Sequence, residues 1–257
     1  MIESVRKAMQ ILVAVSDGKG EPIALKEISS RSAIPKPTCS HLLKTLTQDG
    51  YLKRISHSAG YVLGPATHYL SRYGRYENEM IALARPVMRW MEKKTGATVV
   101  LSVIENHQKY IIEYFDEAQN LFSEHPLIRT DDIYRTATGR AILAEMSREE
   151  VEAVWEKSGP PPFGDWNEVT SLETLLSALD TVKGERIVIS EGSLRKDSRT
   201  KGFAVPLFHG KACVGAVGLA WTRTDEGEEE LLALEKDLCK VLSKGAREIQ
   251  RRLSYGE

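Results

Sequence analysis

Apolar and polar positions along the first 64 residues predict three helices followed by two strands. Apolar side chains recur at helical spacing in three successive segments, and the third segment places Cys39, Leu42, Leu43 and Leu46 on one face. Gly50 then stops the helical pattern, and the strand-like runs YLKRI and GYVLG stand on either side of SHSA. Three helices and a hairpin in this order predict a winged helix-turn-helix domain over residues 1–64.

Two prolines precede the third helix and stiffen its first turn. Pro37 suits the start of a helix because its missing N–H would have no partner there, and Pro35 keeps the preceding turn extended. The helix face opposite the apolar stripe is polar and basic, as expected of a helix that enters a DNA major groove. The residues predicted to contact DNA are Lys36, Pro37, Thr38, Ser40, His41, Lys44, Lys53, Arg54 and His57.

Two roles are open for Cys39, a redox switch beside the DNA contacts or a small core residue. Because it shares the apolar stripe with Leu42 and Leu46, we favour the core residue. His41 has no Cys or His partner at metal-ligand spacing, which leaves it as a surface residue or a DNA contact. The sequence predicts neither a metal site nor a cofactor.

The remaining residues show helical and strand patterns in mixed order. Residues 65–77 resemble a short helical linker, and an amphipathic helix is predicted over residues 78–94. The strand patterns TVVLSVIE and KYIIEYF come next, and three helical patterns then precede RIVIS, FAVPLF and KACVGAVGLAW. A last helix is predicted over residues 226–253. The fold class is therefore α+β, with helices packed on a sheet over residues 78–257.

Charge divides the chain at about the same place. Residues 1–75 hold 11 Lys and Arg against 5 Asp and Glu, and the rest hold 24 against 31, so a balance of +6 precedes one of −7. A basic segment attracts a polyanion such as DNA, whereas an acidic body does not. Ordinary solvated surface is the alternative explanation of both charge sets.

Cysteine usage and hydropathy indicate the compartment. The three cysteines are too few and too scattered for a disulfide framework, which favours reduced thiols and a cytoplasmic location. The start, MIESVRKAMQ, lacks the apolar core of an export signal. The longest apolar run, ACVGAVGLAW, has about half of the roughly 20 residues that span a bilayer. No membrane partner is predicted.

Several stretches resemble the IclR family of bacterial transcriptional regulators. SVRKAMQIL, LKEISSRSAIPKPTCSHLLKTLTQDGYLKR and GYVLG are similar to its DNA-binding domain, and TATGRAILAEM, GFAVPLF and VGAVGLAWTRT resemble its ligand-binding domain. The resemblance implies that the winged helix binds double-stranded operator DNA and that a GAF-like C-terminal domain binds a small-molecule effector. It also implies a repressor or activator that forms a homodimer or tetramer.

The stretch RTATGRAIL contains the first candidate effector site. Thr136 or Thr138 can cap a starting helix whose free N–H groups would hold a carboxylate, and a capped helix without a ligand is the alternative. The resemblance implies further contacts near Glu191 and Gly202, in a polar loop expected over residues 190–206. The predicted effector-binding residues are Thr136, Ala137, Thr138, Gly139, Glu191, Gly202, Gly218 and Ala220.

Two other functions remain open beside an effector-responsive regulator. SLRK at residues 193–196 matches the SxxK of Ser–Lys acyl enzymes, but no second motif supports it, and no residue is predicted to be catalytic. A dimeric scaffold that has lost its ligand is the third possibility. The favoured function is a DNA-binding regulator that responds to a small metabolite such as a carboxylate.

Overall fold

The structure is a computed structural model, and it describes residues 2–18, 20–56, 59–73, 79–117, 132–162, 165–166, 168–195, 198–223 and 228–255. The chain divides into two compact units, Met1–Tyr76 and Glu77–Glu257. Most of the segment that the sequence places in a linker, residues 65–77, therefore belongs to the first unit. The domain boundaries after residues 64 and 77 remain predictions.

The first unit contains three helices, a two-stranded hairpin and a fourth helix. They are α1 (Glu3–Ser16), α2 (Leu25–Ser32), α3 (Lys36–Gln48), β1 (Leu52–Ser56), β2 (Gly60–Leu63) and α4 (Pro65–Tyr73). The apolar stripes of α1, α2 and α3 meet in one small core, in which Ile11, Ile28 and Leu43 are fully buried. This arrangement confirms the predicted winged helix-turn-helix.

The second unit is a five-stranded antiparallel sheet with helices on both faces. Its elements are α5 (Glu79–Thr95), β3 (Thr98–Glu105), β4 (Gln108–Phe115), α6 (Asp132–Arg135), α7 (Ala137–Leu143), α8 (Arg148–Ser158), α9 (Leu172–Lys183), β5 (Val188–Arg195), β6 (Ser198–His209), β7 (Ala212–Arg223) and α10 (Glu228–Tyr255). The strand order is β4-β3-β7-β6-β5. Within the described part of the chain, no helix has both the length and the apolar character needed to cross a membrane.

The two faces of this sheet pack against different helices. Phe203 and Val217 belong to the face that α5 and α10 cover, and both side chains are buried there. Ala204 and Ala216 alternate with them and face α7. Because the side chains on the α7 face are small, that helix lies close to the strands. Seven of the eight predicted effector-binding residues lie in α7, at its N-cap or on the sheet face that it covers.

The predicted α+β fold class is confirmed, but the prediction of a polar loop over residues 190–206 is wrong. Residues 190–195 belong to β5 and residues 198–206 belong to β6, and the antiparallel pairing of the two strands runs from Val188 with Ala204 to Arg195 with Ser198. β5 is one of the two edge strands of the sheet, so one of its sides has no neighbouring strand among the described residues. An edge strand tolerates charged side chains that a central strand does not. The polar composition therefore hid a real hairpin.

Candidate DNA-binding and effector sites

The two prolines before α3 define how that helix starts. Pro35 precedes the helix with an extended ψ of 137°, and Pro37 is the second helical residue, where no backbone N–H is needed. The Pro35 carbonyl oxygen accepts a hydrogen bond from the Cys39 N–H at 2.9 Å. Cys39 is fully buried, and burial raises the pKa of its thiol, so Cys39 is a core residue and not an accessible thiol.

The predicted DNA contacts on α3 share one exposed face. The exposed residues are Lys36, Pro37, Thr38, Ser40, His41 and Lys44. Leu43 and Leu46 lie on the buried side of the same helix. The structure therefore brings this set together at the N-terminal half of α3, the part of a recognition helix that enters a major groove. His57, predicted at the tip of the hairpin, lies outside the described residues.

The hairpin carries the remaining predicted DNA contacts, Lys53 and Arg54. Both side chains on β1 are exposed, and the Arg54 guanidinium lies 5.5 Å from the centre of the Tyr61 ring, which stabilises its position. A bridge between Ile23 and Tyr61 ties β2 to the start of α2. Gly60 is needed at this contact, because a β-carbon there would lie 2.2 Å from the Ile23 carbonyl oxygen.

Four of the predicted effector residues meet where α7 lies on the sheet. A β-carbon at Gly218 would lie 2.7 Å from Thr138 Cγ2, and one at Gly202 would lie 3.4 Å from Ala137 Cβ. Ala220 pairs with Gly202 across the ladder and is on the same face. The glycines therefore allow α7 to approach the strands, and this close packing occupies the space at Gly218.

The first turn of α7 packs closely on its neighbours, and the helix cap uses one of its N–H groups. The Thr136 hydroxyl caps the helix by accepting a hydrogen bond from the Gly139 N–H at 3.2 Å. Thr138 is buried, and its hydroxyl accepts a hydrogen bond from the Ser102 hydroxyl at 3.2 Å. A β-carbon at Gly139 would lie 2.1 Å from the Ile133 carbonyl oxygen, so Gly139 packs directly on α6.

Glu191 is not brought to the other predicted effector residues. Its carboxylate lies 3.1 Å from the Lys201 ammonium, which also pairs with Glu235 of α10 at 2.7 Å. Glu191 therefore points towards the face covered by α10. The neighbouring residue, Ser190, points the other way, since its hydroxyl would lie 2.9 Å from a β-carbon at Gly202.

Sequence interpretation missed a group of hydroxyl side chains on the α7 face. Thr98 pairs with Ala220, and Thr200 lies 3.4 Å from Thr222 between their hydroxyl oxygens. The buried members of this group are Thr98, Ser102, Ser190 and Thr200, and Thr138, which the sequence had predicted, is buried beside them on α7. Small residues stand at every second position of β6 and β7 and leave room above that face of the sheet. This sequence pattern could have indicated the group. We name Thr98, Ser190, Thr200, Gly202, Ala220 and Thr222 the hydroxyl patch.

Arg140 is a second residue that sequence interpretation missed. Its guanidinium donates to the carbonyl oxygens of Tyr134 at 2.7 Å and Asp165 at 2.6 Å, and lies 4.2 Å from the centre of the Trp166 ring. Burial lowers its pKa to about 10, against the opposing effect of the Glu168 and Asp165 carboxylates. The side chain stays cationic at neutral pH and joins α6, α7 and the segment at residue 165. Arg140 is the one charged residue of α7.

The metal site and the acyl enzyme that the sequence raised concern side chains that the structure describes only in part. No three His, Cys, Asp or Glu side chains among the described residues are grouped to hold a metal. Lys196 of the SxxK pattern lies outside the described residues.

A helix-turn-helix unit joined to an α+β unit with a polar sheet face defines a two-unit DNA-binding regulator as a class. Residues 4–56 match the IclR helix-turn-helix domain, and residues 76–251 match the bacterial transcriptional regulator IclR C-terminal domain. The chain belongs to the IclR family. The resemblance inferred from the sequence is therefore confirmed.

Individual relatives are distant in sequence. The chain is 26% identical over 255 residues to the HTH-type transcriptional regulator KdgR of Escherichia coli. The aligned segment covers 99% of this chain and 94% of KdgR. It is 22% identical over 160 residues to the acetate operon repressor of Salmonella typhimurium, covering 62% of this chain and only 58% of that repressor. An IclR homolog from Microbacterium hydrocarbonoxydans, complexed with 4-hydroxybenzoate, has the same fold, with a TM-score of 0.66, 18% identity, and coverage of 97% of this chain and 98% of that one.

Proposed function

We propose that the protein is a transcriptional regulator that binds double-stranded operator DNA through its first unit. The observation that carries this proposal is the division of α3 into two faces. Cys39 and Leu43 are buried, whereas Ser40, His41 and Lys44 are exposed on the other side. The match to the IclR helix-turn-helix domain supports the same function.

Each exposed residue has a role that its chemistry allows. Ser40 and His41 contact base edges in the major groove, where hydroxyl and imidazole groups meet donors and acceptors that differ between base pairs. Lys44, Lys53 and Arg54 contact phosphates, which fixes the position of the protein without reading sequence. The +6 balance of the first 75 residues supports attraction to DNA.

Binding to an operator enriched from random DNA tests this assignment. We expect Lys44→Ala to weaken binding to every sequence and to reduce the slope of log K against log salt concentration by about 0.9. Ser40→Ala should weaken binding to the enriched operator by about 5- to 100-fold and leave binding to random DNA unchanged. Lys93→Ala, an exposed change on α5, is the control. Wild-type affinity in both α3 variants would show that another element reads the DNA.

We propose that a small polar metabolite binds the hydroxyl patch and modulates operator binding. Ser190, Thr200 and Thr222 supply donors and acceptors, while Gly202 and Ala220 leave room for a ligand. The homolog complexed with 4-hydroxybenzoate, a carboxylate that also carries a hydroxyl group, supports a ligand of this class. Thr136, Ala137, Thr138, Gly139 and Gly218 position α7 beside the ligand, and Glu191 has no part in the site.

We propose further that the regulator is a homodimer. Ile2, Val5 and Met9 are exposed along one side of α1, at 70%, 51% and 55%, and α4 exposes Tyr69 and Leu70. Exposed apolar residues at helical spacing mark a surface that another protein covers. A second copy is the expected partner, because a two-fold dimer matches a palindromic operator.

We propose no catalytic role, because the relatives are named as transcriptional regulators. A regulator that binds operator DNA works in the compartment that holds the DNA, and we propose the cytoplasm.

A further inference from the structure

A groove lies between α5 and α10, on the sheet face opposite the hydroxyl patch. α10 approaches α5 closely at Gly245, where a β-carbon would lie 2.2 Å from the Met91 sulfur. Next to this contact the two helices enclose a volume of about 480 Å³, which is within the range of small-molecule sites. Pro86, Val87 and Trp90 form the α5 wall of the groove. Because that wall is apolar, a ligand that fills the groove needs an apolar side.

Positive charge dominates the α10 wall of the groove. That wall carries Lys244, Arg247, Glu248, Arg251 and Arg252. The Glu248 carboxylate accepts hydrogen bonds from Arg251 at 3.1 Å and Arg252 at 2.8 Å, which lowers its pKa to about 2. Four cations against one carboxylate leave a local charge of +3 in a unit whose overall balance is −7.

Two of these cations, Lys244 and Arg247, have no carboxylate partner in the part of the chain that the structure describes. The Lys244 ammonium lies 5.2 Å from the centre of the Trp90 ring. The Arg247 Nε–H donates to the Ser243 carbonyl oxygen of the same helix at 3.1 Å, and its other N–H groups point away from that bond. Both side chains are exposed, and they are neighbours on the surface of α10 because they are three residues apart. The groove therefore attracts an anion to one edge of its apolar wall.

The chemistry of the two walls indicates the class of ligand. A guanidinium group binds a carboxylate through paired N–H groups and also stacks on a flat ring. Pro86 and Trp90 supply apolar surface for such a ring, and aromatic rings pack well against one another. A carboxylate without a ring would leave the α5 wall uncovered, and a ring without a charge would leave the cations unpaired. A planar ring that carries a carboxylate satisfies both walls.

We propose that the groove between α5 and α10 is a second small-molecule site, which binds one aromatic carboxylate per chain. The ring lies against Pro86 and Trp90, and the carboxylate pairs with Lys244 and Arg247. Since both helices contact the ligand, a bound acid stabilises the packing of α10 on α5. The groove and the hydroxyl patch are on opposite faces of the sheet, so this proposal does not depend on the effector site proposed above.

Calorimetric titration of the full chain with naphthoate tests the site. Naphthamide keeps the ring without the charge, and acetate keeps the charge without the ring. Every protein carries Ala220→Val, which places a larger side chain in the hydroxyl patch, so that an acid bound there is not counted. The groove variant is Lys244→Gln with Arg247→Gln. The control variant is Lys240→Gln with Arg148→Gln, which removes two exposed cations that do not line the groove.

We expect the parent protein and the control variant to bind one naphthoate per chain with the same Kd, and the groove variant to have a Kd raised at least tenfold. Naphthamide and acetate should each bind the parent protein at least tenfold more weakly than naphthoate. A groove variant that keeps the Kd of the control, a naphthamide that binds as tightly as naphthoate, or a parent protein that does not bind millimolar naphthoate would overturn the proposal. If the groove variant does not fold, the comparison of the three ligands decides.

Discussion

Arg140 is the residue on which the geometry of the α6–α7 corner depends most. Its guanidinium donates hydrogen bonds to the carbonyl oxygens of Tyr134 and Asp165, and its planar face lies over the Trp166 ring. A buried cation is stabilised only when such partners surround it. Lysine keeps the charge but offers neither the planar fork nor the stacking face. The corner that places Ala137 against Gly202 of the hydroxyl patch is therefore held by guanidinium geometry.

We expect Arg140→Lys to lower the free energy of unfolding of the second unit by about 2–3 kcal/mol, because charge-assisted hydrogen bonds are lost inside the protein. Urea unfolding followed by tryptophan fluorescence measures this, since all four tryptophans lie in the second unit. Arg148→Lys, on the exposed surface of α8, should change it by less than about 0.5 kcal/mol. Equal midpoints for the two variants would show that the contacts of Arg140 contribute nothing beyond its charge.

Adjacent residues in a strand explain why the effector site could be predicted only in part. The sequence pointed to Gly202, Gly218 and Ala220 because the family resemblance covers them, and the structure places all three on the α7 face. It also pointed to Glu191, whereas Ser190 is the residue on that face. A shift of one position exchanges the two faces of a strand, and without the register no sequence pattern decides between them.

Among the elements, the long periodic helices could be predicted, whereas the edge strand β5 could not. The apolar repeats of α3, α5 and α10 are long enough to specify helix and buried face together. α6 has only four residues, which is too short for any periodicity. β5 pairs with one neighbour, and its exposed side favours polar residues, so its composition resembles a loop.

The hydroxyl patch is formed by strands of the sheet. A larger side chain in the patch should remove ligand binding without unfolding the sheet. Ala220→Val adds two methyl groups beside Gly202 on a partly exposed strand position. A panel of small hydroxy acids that includes 4-hydroxybenzoate provides the ligands. At a hundredfold excess over Kd, a bound ligand stabilises wild type by about 2.7 kcal/mol, and we expect the variant to lose this gain.

Thermal unfolding with and without the acids measures that difference. Ala212→Val is the matched control, because it makes the same substitution at an exposed position at the start of β7. The control should keep the ligand-induced rise in Tm. If Ala220→Val keeps it as well, the ligand binds away from the patch.

At the scale of the whole molecule, the two units carry opposite net charges, and positive charge favours DNA as a partner of the first unit only. The balance of +6 before residue 76 and −7 after it follows from the sequence alone. The proposed dimer face cannot be predicted from the sequence, because the apolar residues of α1 form two stripes. Ile11 and Val15 are buried in the core, whereas Val5 and Met9 are exposed. The sequence alone does not show which stripe is buried in the core and which is exposed to a partner. The packing of α1 in the structure distinguishes the two.

Operator binding by the intact protein should therefore depend on the exposed stripe of α1. We expect Met9→Glu to weaken binding to a palindromic operator at least tenfold, because a carboxylate in an apolar contact separates the two copies. Binding to a half-site should be unchanged, since one copy suffices for it. Gln10→Glu adds the same charge to an exposed position beside the stripe and should leave both affinities at wild-type values. A Met9→Glu protein that retains full affinity for the palindrome would place the dimer contact on another surface, because two-fold binding requires two joined copies.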